Sequence, residues 1–236
     1  MKPKIAAGLA LQFDPVQLSL TNIQAADLDW VSKLPRIRDL LIEWNTKLES
    51  FDFLRNVAPL TRLRADGTKR THFLDGIAHQ PSLKSLWIGG GIDSCLEVAS
   101  LRPLSSLVNL EQLFLICIRV DEPSLTPLAQ LTRLKCLRIQ SNIAPMEEYA
   151  RLAGALPGIE SDMLRGFLTL GWVLPSGTDL LDVIDQLKGE EQVIMVGKGG
   201  RRFKVADNRD KIVKALLRFR GIRNLVEQPV AARKRG

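Results

Sequence analysis

Cysteine, histidine and tyrosine are scarce in this chain of 236 residues, which holds three, two and one of them. Cys95, Cys117 and Cys136 cannot all pair with one another, and none is near another in sequence. A disulfide scaffold is therefore excluded, and a reducing, cytoplasmic setting is expected. His72 and His79 stand seven apart without the neighbouring Cys or Glu that metal-binding spacings require, so no metal is expected. No apolar run approaches the roughly 18 residues needed to span a bilayer. At the start, Lys2 and Lys4 precede a short apolar stretch that Gln12 and Asp14-Pro15 cut off, which argues against a secretory leader. Gly89-Gly90-Gly91 and Gly197-Lys198-Gly199-Gly200 lack the spacing and the following Ser or Thr of a phosphate-binding loop and read as turns. Ser105-Ser106 and the scattered carboxylates form no acid–base pair. A Cys–His pairing is left open by spacing alone, but no catalytic constellation and no cofactor site is expected, and the chain does not read as an enzyme.

A folded chain is nevertheless expected, because 45% of the residues are hydrophobic and only 25% are charged. The hydrophobic residues follow a repeat. The pattern apolar-x-x-apolar-x-x-apolar-x-apolar fits Leu34, Ile37, Leu40, Ile42; Val57, Leu60, Leu63, Ala65; and Gln80, Leu83, Leu86, Ile88. It continues at Leu107, Leu110, Leu113, Leu115; Leu131, Leu134, Leu137, Ile139; and Leu156, Ile159, Asp162, Leu164. Only Gln80 and Asp162 break it. Rows start 23 to 27 residues apart, the period of a stacked-coil array.

These rows resemble the leucine-rich-repeat family over roughly residues 30–165. The resemblance implies an α/β fold class: a right-handed solenoid with a parallel sheet on one face, here followed by a small α+β domain. Val16 to Leu20 reads as a degenerate first strand at the open end. The family's turn asparagine is matched by Asn45 and Asn142 but not by Thr68, Gly91, Ile118 or Phe167, so irregular coils are expected. On the return path, Ile92–Ser100 and Pro145–Pro157 read as helices and Asp121–Gln130 as one tight helical turn.

In each row's last apolar-x-apolar triplet the flanking pair points inward and the middle residue outward. The outward residues are Leu41, Arg64, Trp87, Phe114, Arg138 and Met163, with Ile116 and Arg165 one step further along their strands and Trp44 near the rim. With strands about 4.8 Å apart, Trp87 and Phe114 are neighbours. Aromatic and arginine side chains together are the usual composition of a binding hot spot, so this ribbon is the expected partner-binding face, toward a protein with an acidic surface. Two other readings stand beside it: the cluster is covered by another part of the chain, or the register is off by one and the cluster points inward.

After Gly166 the period stops. Residues 166–228 read as a basic module: strand Phe167–Leu174, helix Asp179–Lys188 capped by Ser176, strand Glu191–Val196, a glycine turn, strand Arg201–Val205, and a last helix capped by Asp207 or Asn208. Residues 229–236 read as a disordered basic tail. Residues 166–236 carry 14 basic and 8 acidic side chains, against 19 and 18 in residues 1–165. Arg209, Lys211, Lys214, Arg218, Arg220 and Arg223 stud the last helix, and Lys198, Arg201, Arg202 and Lys204 cluster on the hairpin, which gives an alternative reading, a nucleic-acid-binding regulator. Only Phe203 is interleaved there as an aromatic, and no nucleic-acid motif accompanies it. The sequence thus reads as a protein-interaction module, with a cytosolic inhibitor or immunity protein as its narrower form, resting on fold analogy alone.

Overall fold

The computed structural model describes residues 3–91, 94–174, 178–187 and 191–233. It divides into two compact units, residues 1–140 and 141–236.

The first unit opens with helix α1 (Pro3–Phe13), whose proline occupies a first-turn position where no N–H is needed. Six parallel strands follow: β1 (Gln17–Thr21), β2 (Asp39–Glu43), β3 (Arg62–Asp66), β4 (Ser85–Gly89), β6 (Gln112–Ile116) and β8 (Cys136–Ile139). They lie side by side in chain order in one sheet. The pairing runs without a slip, Leu40 beside Leu63, Leu63 beside Leu86, Leu86 beside Leu113 and Leu113 beside Leu137. These leucines are at most 2% exposed, and so are Ile42, Ala65, Ile88 and Leu115 in the second inward column. The degenerate strand expected at residues 16–20 is β1, in register with β2.

Five short 3₁₀ helices lie on the return path: Asp29–Lys33, Asp52–Asn56, Asp75–His79, Arg102–Ser106 and Thr126–Gln130. Each is preceded by a buried apolar residue, namely Leu28, Phe51, Leu74, Leu101 and Leu125. A buried side chain follows three residues later in every case: Val31, Leu54, Ile77, Leu104 and Leu128. A spacing of three places both on one side of a helix with three residues per turn, so each coil buries a return-side pair as well as its strand pair.

Two expectations for this unit are corrected. Residues 94–100 form no helix: β5 (Leu96–Val98) pairs in parallel with β7 (Ile118–Val120), burying Leu96, Val98, Ile118 and Val120. The alternation of buried and exposed residues there has period two, which is that of a strand; Ile92 and Asp93 lie outside the described residues. The sixth row is not a strand either. Asp162–Arg165 is a 3₁₀ helix of the second unit, closed by Gly166 at φ +91°. The inward position held by an aspartate could not enter an apolar column, and the array stops at β8.

Gln80 breaks the apolar pattern yet is 1% exposed. Its amide Nε2 donates to the carbonyls of Leu54 (2.7 Å) and Val57 (3.2 Å), and its Oε1 accepts from the Leu60 N–H (2.8 Å). One side chain thus satisfies three backbone groups of the preceding coil in a site that water does not reach. Asn45, also buried, accepts from the N–H groups of Ala25 and Lys47, as the family pattern implies. Asn142 lies beyond the sheet and is exposed.

The second unit contains a three-stranded antiparallel sheet with β10 (Gln192–Met195) between β9 (Phe167–Leu170) and β11 (Arg202–Lys204). Helices α2 (Met146–Ala155), α3 (Leu180–Val183) and α4 (Val205–Arg233) belong to it. Its core gathers Phe167, Leu174, Leu180, Ile184, Val193, Met195, Val205, Ile212 and Leu216. The α3 cap is Asp179, whose carboxylate accepts from the Leu181 N–H at 2.9 Å; Ser176 and Lys188 lie outside the described residues. Asn208 interrupts α4 with non-helical angles, and the helix then runs on through Arg233, past the expected tail boundary at 229; residues 234–236 lie outside the described residues.

Helices α2 and α4 meet at Gly154, where an added Cβ would fall 2.4 Å from the Arg223 carbonyl oxygen and 2.8 Å from the Val226 Cβ. Because the first obstacle is backbone, the helices must separate to admit even a methyl group. We expect Gly154→Ala to cost about 1–3 kcal/mol in a urea titration of the full chain. Tyr149, the only tyrosine, is fully buried and accepts the Ile143 N–H at 3.2 Å; burial pushes its hydroxyl well above its ordinary value of 10.0. A raised folded-state value means the stability is intact below pH 10.0 and declines as the pH climbs toward the folded value, since only the unfolded chain ionises easily. Tyrosinate absorbance should therefore rise together with loss of helical circular dichroism, and not before it.

Candidate functional site

The outward ribbon of the first unit is built by strand register. Leu41, Arg64, Trp87 and Phe114 stand next to one another on β2, β3, β4 and β6, and Arg138 follows on β8. All five are half-buried, while the leucine on the N-terminal side of each is buried. The register expectation holds for these residues.

The rings do not stand free. Trp87 and Phe114 are stacked, with centroids 4.9 Å apart and planes inclined by 20°. The Arg64 guanidinium carbon lies 4.6 Å from the Trp87 ring centre. Arg64 in turn reaches the carboxylates of Asp66 at 3.1 Å and Glu43 at 3.5 Å. Arg62 is paired with Asp39 on the neighbouring strand, and Lys135 with Glu111 at 2.6 Å. A groove of about 330 Å³ runs beside the stack, lined by Gln17, Asp39, Leu41, Arg62, Arg64, Ser85, Trp87 and Phe114 among others.

Gly89 makes the arrangement possible. A Cβ there would come within 3.0 Å of the Ile116 carbonyl oxygen, 3.1 Å of Asp66 Oδ1 and 3.5 Å of Trp87 Nε1. Ile116 is half-buried at the end of β6, directly beside Gly89. Trp44 leaves β2 with φ +58°, a left-handed conformation shared by Asn22, Gly67 and Cys117 at the corresponding strand exits. Its indole extends over Gly67 and Gly91, where a Cβ would approach ring atoms to 2.9 and 3.1 Å, and it is 42% exposed. A bulky residue held left-handed is strained, so the exits of neighbouring coils must fix it.

Met163 and Arg165 do not belong to this ribbon, because their segment is a 3₁₀ helix of the second unit. Sequence reading also missed the carboxylates that hold Arg64. They occupy the last position of their strands, and their signal was available in the sequence: Glu43 and Asp66 each lie two residues beyond an outward position, Leu41 and Arg64, and so on the same face.

The basic cluster looks different in three dimensions. On the hairpin, Arg202 and Lys204 are exposed while Phe203 packs against the core; Lys198 and Arg201 are exposed at the turn. Along α4, Arg218 pairs with Glu147 at 2.6 Å, Arg220 with Asp179 at 2.6 Å, Arg223 with Glu227 at 3.5 Å, and Arg209 with Asp185. Drawn at the structural boundary, residues 141–236 hold 16 basic and 12 acidic side chains, a net of +4 against +3 for residues 1–140. Glu147, Glu148, Glu160 and Asp162 cross the boundary together with Arg151 and Arg165, and the charge asymmetry narrows.

Among the described residues no group of His, Cys, Asp or Glu is placed to hold a metal ion, and no helix is long and apolar enough to cross a membrane. The three cysteines are unpaired and half-buried.

No protein-family model matches the sequence, and no curated protein matches it. Solved structures do. An internalin (inlF) from Listeria monocytogenes is 19% identical with a TM-score of 0.50, the match covering 64% of this chain and 41% of that one. Internalin C2 of the same species is 22% identical with a TM-score of 0.43, over 66% of this chain and 77% of that one. The chain thus spans well under half the length of the first of these proteins, and the likeness is one of fold.

The outward reading makes a stability contrast. Leu86→Ala should cost about 2–5 kcal/mol, as for a buried leucine, whereas Trp87→Ala one residue away should cost about 0.5–1.5 kcal/mol, the scale of an aromatic pair. Chemical denaturation of the two variants measures both.

Proposed function

We propose that this chain, a bacterial leucine-rich-repeat protein by fold, is a protein-interaction module that holds a partner protein on the outward face of its parallel sheet. The observation that carries the reading is the Arg64–Trp87–Phe114 stack beside a groove: large apolar side chains are kept in one arrangement on a face that the sheet register turns away from its core. Preorganised aromatic and arginine side chains lose little freedom on binding and are the usual carriers of interface energy. Leu41, Ile116 and Trp44 extend the contact area, and Arg138 continues the row. A narrower form of the proposal is an inhibitor or immunity protein working in a reducing, cytoplasmic compartment, consistent with three unpaired cysteines. The earlier expectation of an acidic partner draws little support, because Arg62 and Arg64 already meet carboxylates of the same face.

The nucleic-acid alternative rests mainly on the hairpin residues Lys198, Arg201, Arg202 and Lys204, since Arg209, Arg218, Arg220 and Arg223 of α4 meet carboxylates. An exposed basic hairpin without aromatic platforms is a weak nucleic-acid site.

Affinity capture from the native host tests the proposal, with partners identified for the full chain and for a Trp87→Ala/Phe114→Ala variant shown by circular dichroism to be folded at the assay temperature. Loss of about 30-fold or more in affinity for the captured protein is expected, on the scale of hot-spot residues. Undiminished capture by the variant would remove the sheet face as the binding surface. Undiminished capture after Lys198, Arg201 and Arg202 are changed to Glu would separate the two readings.

A further inference from the structure

We infer that Arg64 is a positioning residue of the sheet face, and that the partner segment this face accepts is uncharged and apolar. The inference rests on the sheet face being the binding surface and adds what that surface selects.

The charges on the face close among themselves. Its three outward columns contain Asp39, Glu43 and Asp66 against Arg62, Arg64 and Arg138, a net of zero. Arg62 is tied to Asp39, and Arg64 sits between Glu43 and Asp66. A guanidinium held by two carboxylates has little field left to attract an acidic partner, and drawing it away would strand both acids. Its Nε is buried without a hydrogen-bond partner, so the side chain is held by its Nη2 contacts and by the indole beneath it. Arg64 therefore supports Trp87 from the neighbouring strand, although part of its side chain remains exposed.

The ring faces close in the same way. Trp87 has Phe114 on one neighbouring strand and Arg64 on the other, both in stacking contact. Its Nε1–H is buried and unpartnered, which directs no polar group toward an incoming ligand. Flat ligands such as nucleobases and sugar rings need an open aromatic face, and this indole has both faces engaged. Beside the stack lies the groove of about 330 Å³, lined by Leu41 and Phe114 among others, room for one or two aliphatic or aromatic side chains. Charge balance and filled stacking positions together select a neutral, apolar segment.

The test uses the full chain and two readouts. In ¹H–¹⁵N spectra the Trp87 indole signal is identified by its absence in Trp87→Phe. Arg64→Lys, which keeps the charge but loses the planar group, and Arg64→Ala should both move that signal, with unfolding midpoints close to that of the starting protein. Glu43→Gln/Asp66→Asn should move it in the same direction. An unmoved signal in both Arg64 variants would overturn the positioning role, whatever the partner. The second readout is titration with Nile red, a neutral apolar probe. Binding is expected to weaken at least fivefold in Phe114→Ala and to be the same at low and high salt; a salt-sensitive or Phe114-independent affinity would overturn the neutral-segment assignment. Retained partner capture by Trp87→Ala/Phe114→Ala would instead defeat the sheet-face reading itself, which the indole signal does not report on.

Discussion

The parallel register of β2, β3, β4 and β6 is the constraint on which the rest depends. Because side chains alternate along a strand, one frame puts Leu40, Leu63, Leu86 and Leu113 in a dry column and Leu41, Arg64, Trp87 and Phe114 on the opposite face. A slip of one residue would bury Arg64 and its charge and expose four leucines. Burial of the leucine column therefore does two things at once: it stabilises each coil against its neighbours, and it sets aromatic rings from separate coils at stacking distance. The 3₁₀ segments support this from the other side, since Leu54, Ile77 and Leu104 hold each return path at the spacing its strand requires.

Polar side chains inside such an array must serve backbone groups that the coils leave unpaired. Gln80 shows how strict this is. It replaces an apolar residue in the repeat without loss, because its amide supplies one acceptor and two donor bonds to the preceding coil. Asp162 departs at another place, the inward strand position of the sixth row that Leu86 and Leu113 hold in theirs: a carboxylate accepts and cannot donate, and the segment is a 3₁₀ helix in the other unit. Two polar departures from one pattern thus have different outcomes: the amide at a return-side position is absorbed by three hydrogen bonds, while the carboxylate at an inward strand position coincides with the end of the array.

Most of the first unit was legible in the sequence for this reason. The period, the inward column and the Trp87–Phe114 adjacency all follow from spacing, which is local information. The second unit's limits were not legible. The apolar spacing at Leu156, Ile159 and Leu164 continues the repeat, while the contacts that assign α2 to the second unit, such as Gly154 against Arg223, join residues about 70 apart. The strand at Leu96–Val98 was missed because Glu97 is a single exposed position between two buried ones, too short a run to separate period two from period 3.6.

The same distinction between local and distant information governs the site. Sequence reading placed Arg64 and Arg138 as cations reaching for an acidic partner, since outward position and formal charge are local properties. What an arginine does on a sheet depends on what stands across from it, and Arg64 has Glu43 on one strand, Asp66 on its own and Trp87 on the next. Bases drawn into contact with acids of the same surface change from recognition groups into scaffolding. The basic second unit dissolves by the same argument, as Glu147, Asp179 and Asp185 each meet an arginine of α4. In both units many of the basic side chains read along the chain are paired within the fold, although each unit keeps a small net positive charge. The surface left for a partner is distinguished by the shape and rigidity of its aromatic ribbon.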